Sequence, residues 1–188
     1  MSDSKGQYDL QVEFYQKAIT INPENVAYHS ILGNLYCSQG KYDLSIESYQ
    51  KFIAILPENA EGHYNLGRVY HDQGKYDLAI ASYQKAIAID PNDTDVYNLM
   101  GATYSAQGKY DLAVWFCQKA ISINPEDAFY HYHLACVYSL QGKKSLCIES
   151  LRKTISLNKD YIYYQDPCSL QPISEDVYNT IIGDLEWP

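Results

Sequence analysis

Residues 60–93 read AEGHYNLGRVYHDQGKYDLAIASYQKAIAIDPND, and this stretch decides the fold. His63, Leu66, Gly67 and Tyr70 follow at spacings of 3, 1 and 3, which is one face of a helix. Gly74 then supplies the left-handed position that closes such a helix. Beyond it, Tyr76, Ala79, Ile80, Tyr83, Ala86 and Ile87 form a second apolar stripe. Asp90-Pro91 stops that helix, because the residue before a proline is pushed out of the α region. Asn92 and Asp93 are then suited to cap a further helix. Two helices of about 13 residues joined by a tight turn form an antiparallel hairpin.

The same stretch recurs with a period of 34 residues. Gly-Lys-Tyr-Asp-Leu stands at Gly40–Leu44, Gly74–Leu78 and Gly108–Leu112. One period earlier lies Gly6-Gln7-Tyr8-Asp9-Leu10, and one period later a weakened copy, Gly142-Lys143-Lys144-Ser145-Leu146. Prolines keep the beat at Pro23, Pro57, Pro91 and Pro125. One hairpin leaves half of each apolar stripe in water. Stacked hairpins cover one another, so about three or more are needed for stability.

At this point the sequence resembles the tetratricopeptide repeat family, whose pattern is W-x2-L-G-x2-Y, then A-x3-F, then P. Residues 26–59 give His29, Leu32, Gly33, Tyr36, Ser45, Tyr49 and Pro57; residues 60–93 give His63, Leu66, Gly67, Tyr70, Ala79, Tyr83 and Pro91. Residues 94–127 give Tyr97, Met100, Gly101, Tyr104, Ala113, Cys117 and Pro125. Residues 128–161 keep a decayed copy: His131, Leu134, Ala135, Tyr138, Cys147 and Leu151, with Lys159 at the proline position. Residues 7–25 look like the second helix of a repeat without its first. The resemblance implies an all-α, right-handed solenoid of antiparallel helix hairpins. Four full repeats, 26–59, 60–93, 94–127 and 128–161, then follow a partial one. The expected reason for the small residues Gly33, Gly67, Gly101 and Ala135 is a close approach of two helix backbones. The signature is one of packing, and identifies a fold before a ligand.

Residues 162–188 lose the period. Ser174 is suited to an N-cap, and Val177, Tyr178, Ile181 and Ile182 make an apolar stripe. With Asp166, Pro167, Ile173 and Asp176, this segment resembles the tail that ends some bacterial arrays of these repeats. Such a tail would cover the apolar side of the last hairpin, as solenoids require.

The chain has 14 Lys and Arg against 23 Asp and Glu, a net charge of −9, which counts against nucleic acid and acidic membranes as partners. Its longest apolar run, Leu112 to Cys117, is too short to span a bilayer. Met1 to Gly6 hold no signal-peptide core, and the five cysteines show no CxxC spacing, so free thiols in a reducing cytoplasm are expected. His29, His63 and His131 share one packing position. His131 and His133 are two apart and cannot chelate one ion from one helix face. No nucleophile triad, phosphate loop or HExxH is present, so neither enzyme activity, metal nor cofactor is expected.

At 100° per residue, positions 2, 5, 9 and 12 of each first helix fall on a face away from the core. The resemblance implies that this face lines a concave peptide groove. With neighbouring position 6, it offers Asn34, Tyr64, Asn65, Arg68, His71, Leu99, Phe129, Tyr132 and His133 as candidate contacts. Aromatic and cationic side chains make good peptide anchors. Phe129 and Tyr132 could equally pack beneath the tail. The chaperone-adaptor subclass, which clamps an acidic C-terminal carboxylate, is excluded: Asn34 and Asn65 match its asparagines, but Ser30, Asp95 and Leu99 replace its three cations. The expected function is a non-enzymatic scaffold that binds a protein or peptide. The alternative is a homodimer module built on the unpaired helix at 7–21, through Leu10, Phe14, Ala18 and Ile21.

Overall fold

A computed structural model describes residues 2–158, 173, 174, 176, 177 and 180 of the chain, with side chains from Gly6. All regular structure among the described residues is helical: α1 Ser2–Ile21, α2 Val26–Ser38, α3 Tyr42–Ile55, α4 Ala60–Asp72, α5 Tyr76–Ile89, α6 Thr94–Ala106, α7 Tyr110–Ile123, α8 Ala128–Leu140 and α9 Lys144–Leu157. No described helix is long and apolar enough to cross a membrane. The helices pack as two compact units, Met1–Pro91 and Asn92–Pro188.

The first helix of each hairpin begins and ends for the same chemical reasons. Asn25, Asn59, Asp93 and Asp127 are the N-caps of α2, α4, α6 and α8. Their side-chain oxygens accept from Ala27, Glu61, Asp95 and Phe129 backbone N–H at 2.8 to 3.1 Å. At the other end, Gly40, Gly74, Gly108 and Gly142 take φ of 69 to 73°, a region that L residues enter only at a cost. Gly74 N–H donates to His71 O at 2.8 Å and Lys75 N–H to Tyr70 O at 2.9 Å. This paired closure is a Schellman turn, and the other three glycines repeat it.

Within the first unit, Val12 of α1 packs with Leu32, Leu35 and Tyr36 of α2, while Tyr49 of α3 packs with Leu66 and Val69 of α4. In the second unit one cluster joins Ala113, Cys117, Leu134, Ala135, Val137, Tyr138, Cys147, Leu151 and Ile155. Val177 belongs to that cluster at 3% exposure, with Ile173 against it. Lys144 Nζ donates to Asp176 at 2.6 Å, which ties the segment to the start of α9. Ser174 also bonds Asp176, and Val177 N–H donates to Ser174 O at 3.0 Å. Ile181 and Ile182, expected to share this role, lie outside the described residues.

Two expectations need correction. The unpaired helix starts at Ser2 rather than at residue 7, and runs straight through Gly6. A Cβ at Gly6 would meet nothing within 4 Å. Second, the neighbour that keeps Gly33 and Gly67 small is a side chain, not a backbone. A Cβ there would stand 2.6 Å from the Tyr49 ring or 2.5 Å from the Tyr83 ring. At Gly101 the space is taken by Cys117 Sγ at 2.9 Å, with Ala113 O at 3.3 Å behind it.

Candidate peptide-binding surface

The histidines of the repeat are structural. Nε2 of His29, His63 and His131 donates to the carbonyl oxygen of Pro23, Pro57 and Pro125 at 2.8, 3.3 and 2.9 Å. Each thus fastens its helix to the loop before it. Ser45 fixes a hairpin in a similar way, donating to Gly33 O at 2.7 Å.

In the first unit, α2 and α4 bring several candidate contacts together. Arg68 is exposed, and its guanidinium stands 5.8 Å from the centroid of the half-buried Tyr64 ring. Asn34 is exposed and accepts from Tyr49 hydroxyl at 2.8 Å. Burial pushes the Tyr49 phenol up, with Arg68 acting in the opposite direction. His71 is half-buried, its ring 5.5 Å from Tyr76, and burial holds its pKa below the ordinary value against the pull of Asp72. Nearby, Cys37 Sγ donates to Asp72 at 3.6 Å and Ser30 Oγ to Glu61 at 3.2 Å. Asn65 does not join this surface: it is only 7% exposed.

In the second unit, α6 and α8 form a cleft of about 470 Å³. Ala102, Ser105 and Ala106 line one side, and Tyr132, His133, Cys136, Val137 and Leu140 the other, over Tyr110 and Cys117. None of these ten residues carries a carboxylate, ammonium or guanidinium. Burial lowers His133 to about 4 and raises the thiols of Cys117 and Cys136 to about 12, so all three are neutral near pH 7. Phe129 is 37% exposed and lies 4.2 Å from the His133 ring, one helical turn away. Leu99 is half-buried. Tyr132 is only 4% exposed and belongs to the core cluster, so it forms the cleft wall rather than a projecting anchor.

Sequence reasoning missed two features here. Tyr130 is 3% exposed, and its hydroxyl donates to Asp95 at 2.9 Å while Thr94 hydroxyl lies at 2.8 Å, which ties α8 to the start of α6. Burial, helped by the Asp95 carboxylate and opposed by the Thr94 bond, raises the Tyr130 phenol to about 12. The cleft was the other. Its signal was missing volume, since Ala102 and Ser105 occupy positions that hold Arg68 and His71 one repeat earlier.

Among the described residues, no three His, Cys, Asp or Glu side chains are grouped to hold a metal ion, and Cys37, Cys117, Cys136 and Cys147 are free thiols. Cys168 lies outside those residues.

Family models described as TPR repeat match residues 33–74 and 67–108. Models described as tetratricopeptide repeat match residues 2–25, 14–47, 94–127 and 116–149. No curated protein matches the sequence. Among solved structures, MamA superposes with a TM-score of 0.73 at 27% identity, over 86% of this chain and 95% of that one. YrrB, described as a TPR protein with an unusual peptide-binding site, gives 0.66 at 22% identity, over 85% and 82% of the two chains. A thermophilic TPR protein of Thermus thermophilus gives 0.69 at 16% identity, over 96% and 91%.

Proposed function

The chain belongs to the tetratricopeptide repeat family, a family of protein-interaction scaffolds, and on that footing we propose that it is a non-enzymatic scaffold binding a peptide segment of a partner protein. The organisation proposed is a partial repeat at 7–25, four repeats over 26–161 and a capping tail at 162–188. Binding uses the exposed face of the first helices. One patch is Tyr64, Arg68, His71 and Asn34, where a cation already stacks on an aromatic ring. The other is the α6–α8 cleft, with Phe129, His133 and Leu99 nearby. The cleft carries the proposal. It is concave, uncharged and largely apolar, the character of a site that buries an anchor side chain. A charged side chain entering it would lose its hydration without a counter-ion. The free thiols fit a reducing cytoplasm.

The test compares partner recovery on immobilised wild-type chain with two variants. Tyr64→Ala with Arg68→Ala removes the first patch, and Ala106→Trp fills the cleft from an exposed position. Loss of an anchor costs about 2 kcal/mol or more, so recovery should fall while the melting temperature barely changes. Equal recovery of the same partners by both variants would move binding off this face.

A homodimer is the second reading, and α1 favours it. Leu10, Phe14 and Ile21 are 69%, 64% and 85% exposed, apolar surface that a second copy of α1 would cover. Light scattering across a concentration series separates monomer from dimer.

A further inference from the structure

A different pair of clefts opens between successive second helices: one of about 220 Å³ between α1 and α3, and one of about 410 Å³ between α7 and α9. Every residue lining the first recurs, as the same type, three periods later in the second. Tyr36 and Tyr138 form one wall, and Gln16 and Gln118 bond their hydroxyls at 2.8 and 3.4 Å. His29 and His131 flank the tyrosines, Ser48 and Ser150 line the clefts, and Leu44 and Leu146 are 43% and 39% exposed at the mouths.

Repeat 94–127 shows what packs on such a tyrosine. At the position of Ser48 and Ser150 it carries Phe116. That ring stacks on Tyr104, the counterpart of Tyr36 and Tyr138, at 5.2 Å and 17°. It also stacks on Tyr97, the counterpart of the histidines, at 6.4 Å and 29°. The chain therefore lays its own phenylalanine on one such tyrosine, while the clefts at Tyr36 and Tyr138 stay open. We infer that the open clefts at Tyr36 and Tyr138 are anchor sites for a phenylalanine side chain presented by a partner peptide. The ring would stack on the tyrosine as Phe116 does, with the exposed leucines covering its edge. Because the site recurs, a partner with two suitably spaced phenylalanines gains by avidity. This surface is separate from the first-helix face, so its test stands or falls independently of the proposed peptide site.

The probe is N-acetyl-phenylalanine amide, titrated into 15N-labelled chain, with N-acetyl-leucine amide as control. The phenylalanine compound should shift backbone signals around Tyr36 and Tyr138 and bind more tightly than the leucine one. Ser48→Phe with Ser150→Phe copies the filled repeat and should weaken both sites tenfold or more. If the double variant fails to fold, Leu44→Glu with Leu146→Glu, at exposed positions, should give the same loss. Undiminished shifts in the folded variants, or an equal response to the leucine compound, would overturn the inference. So would concentration-dependent broadening at Tyr36 and Tyr138 without any probe, which would make a second copy of the chain the occupant.

Discussion

Replacing Gly67 by alanine sets two effects of known sign against each other. In an exposed helix interior, Gly→Ala stabilises by about 1 kcal/mol, since alanine has less backbone freedom to lose. At Gly67 the new Cβ would stand 2.5 Å from the Tyr83 ring, where carbon atoms pack best at about 3.5–4.0 Å. Something must therefore move by roughly 1 Å. Tyr83 is fully buried at 0% exposure, between Ala79 and Ala86 of its own helix at 0%, so its ring cannot swing into solvent. Overpacking of this kind costs about 1–3 kcal/mol. The net expectation is a loss of up to about 2 kcal/mol once the propensity gain is subtracted. Gly6 supplies the control, because a Cβ there meets nothing within 4 Å, and Gly6→Ala should stabilise α1. Repeat 128–161 supplies the rescue, since it pairs Ala135 with Leu151 where repeat 60–93 pairs Gly67 with Tyr83. Tyr83→Leu should thus be less damaging beside Gly67→Ala than alone, with a coupling of about 1 kcal/mol. Urea denaturation followed by far-ultraviolet circular dichroism reads all four chains. A Gly67→Ala midpoint raised as far as that of Gly6→Ala would refute the account of this contact.

Three further outcomes are expected. Val177→Asp places a charge at a 3% exposed position in the second unit's core and should lower its stability by several kcal/mol in a thermal melt; an unchanged melt would free the tail from its capping role. His133 falls from about 6.5 to about 4 on folding, so between those values the unfolded chain binds the extra proton; stability present above pH 6.5 should drain away as pH falls to 4. The loss attributable to His133 is about 3 kcal/mol, and His133→Gln should flatten the stability-against-pH curve across that window. Asp93→Ala removes two cap bonds, to Asp95 N at 3.1 Å and Val96 N at 3.2 Å, and should cost about 1 kcal/mol by urea titration.

The hairpins were legible because their determinants are local and repeated. Gly74 closes α4 with the left-handed turn its place in the period implies, and Asp93 caps α6 as a short acidic residue at a helix start can. The start of α1 was not legible. Gly6-Gln7-Tyr8-Asp9-Leu10 resembles the other turn sequences, but a glycine permits a turn without forcing one. The candidate site was read less well. Angular position placed Arg68 and Phe129 on an exposed face, yet it also put Tyr132 and Asn65 there. Burial depends on which neighbouring helix covers a flank, and a helical wheel drawn for one helix holds no such information. The α6–α8 cleft was missed for the converse reason: a cavity is made by what Ala102 and Ser105 lack, and a list of side chains able to bind records only what is there.

The buried thiols turn the second unit into its own stopwatch. Only thiolate reacts with an alkylating reagent, and a group whose pKa is near 12, as at Cys117, is ionised about once in ten thousand molecules at pH 8. Burial blocks the reagent as well. Cys117 and Cys147, with Cys136 and Cys168 replaced by serine, therefore gain label only when the second unit opens. Cys37 of the first unit is only half-buried, so reagent reaches it in the folded chain and it too is replaced by serine. The labelling time would show how often the second unit opens, with no reporter group engineered into it.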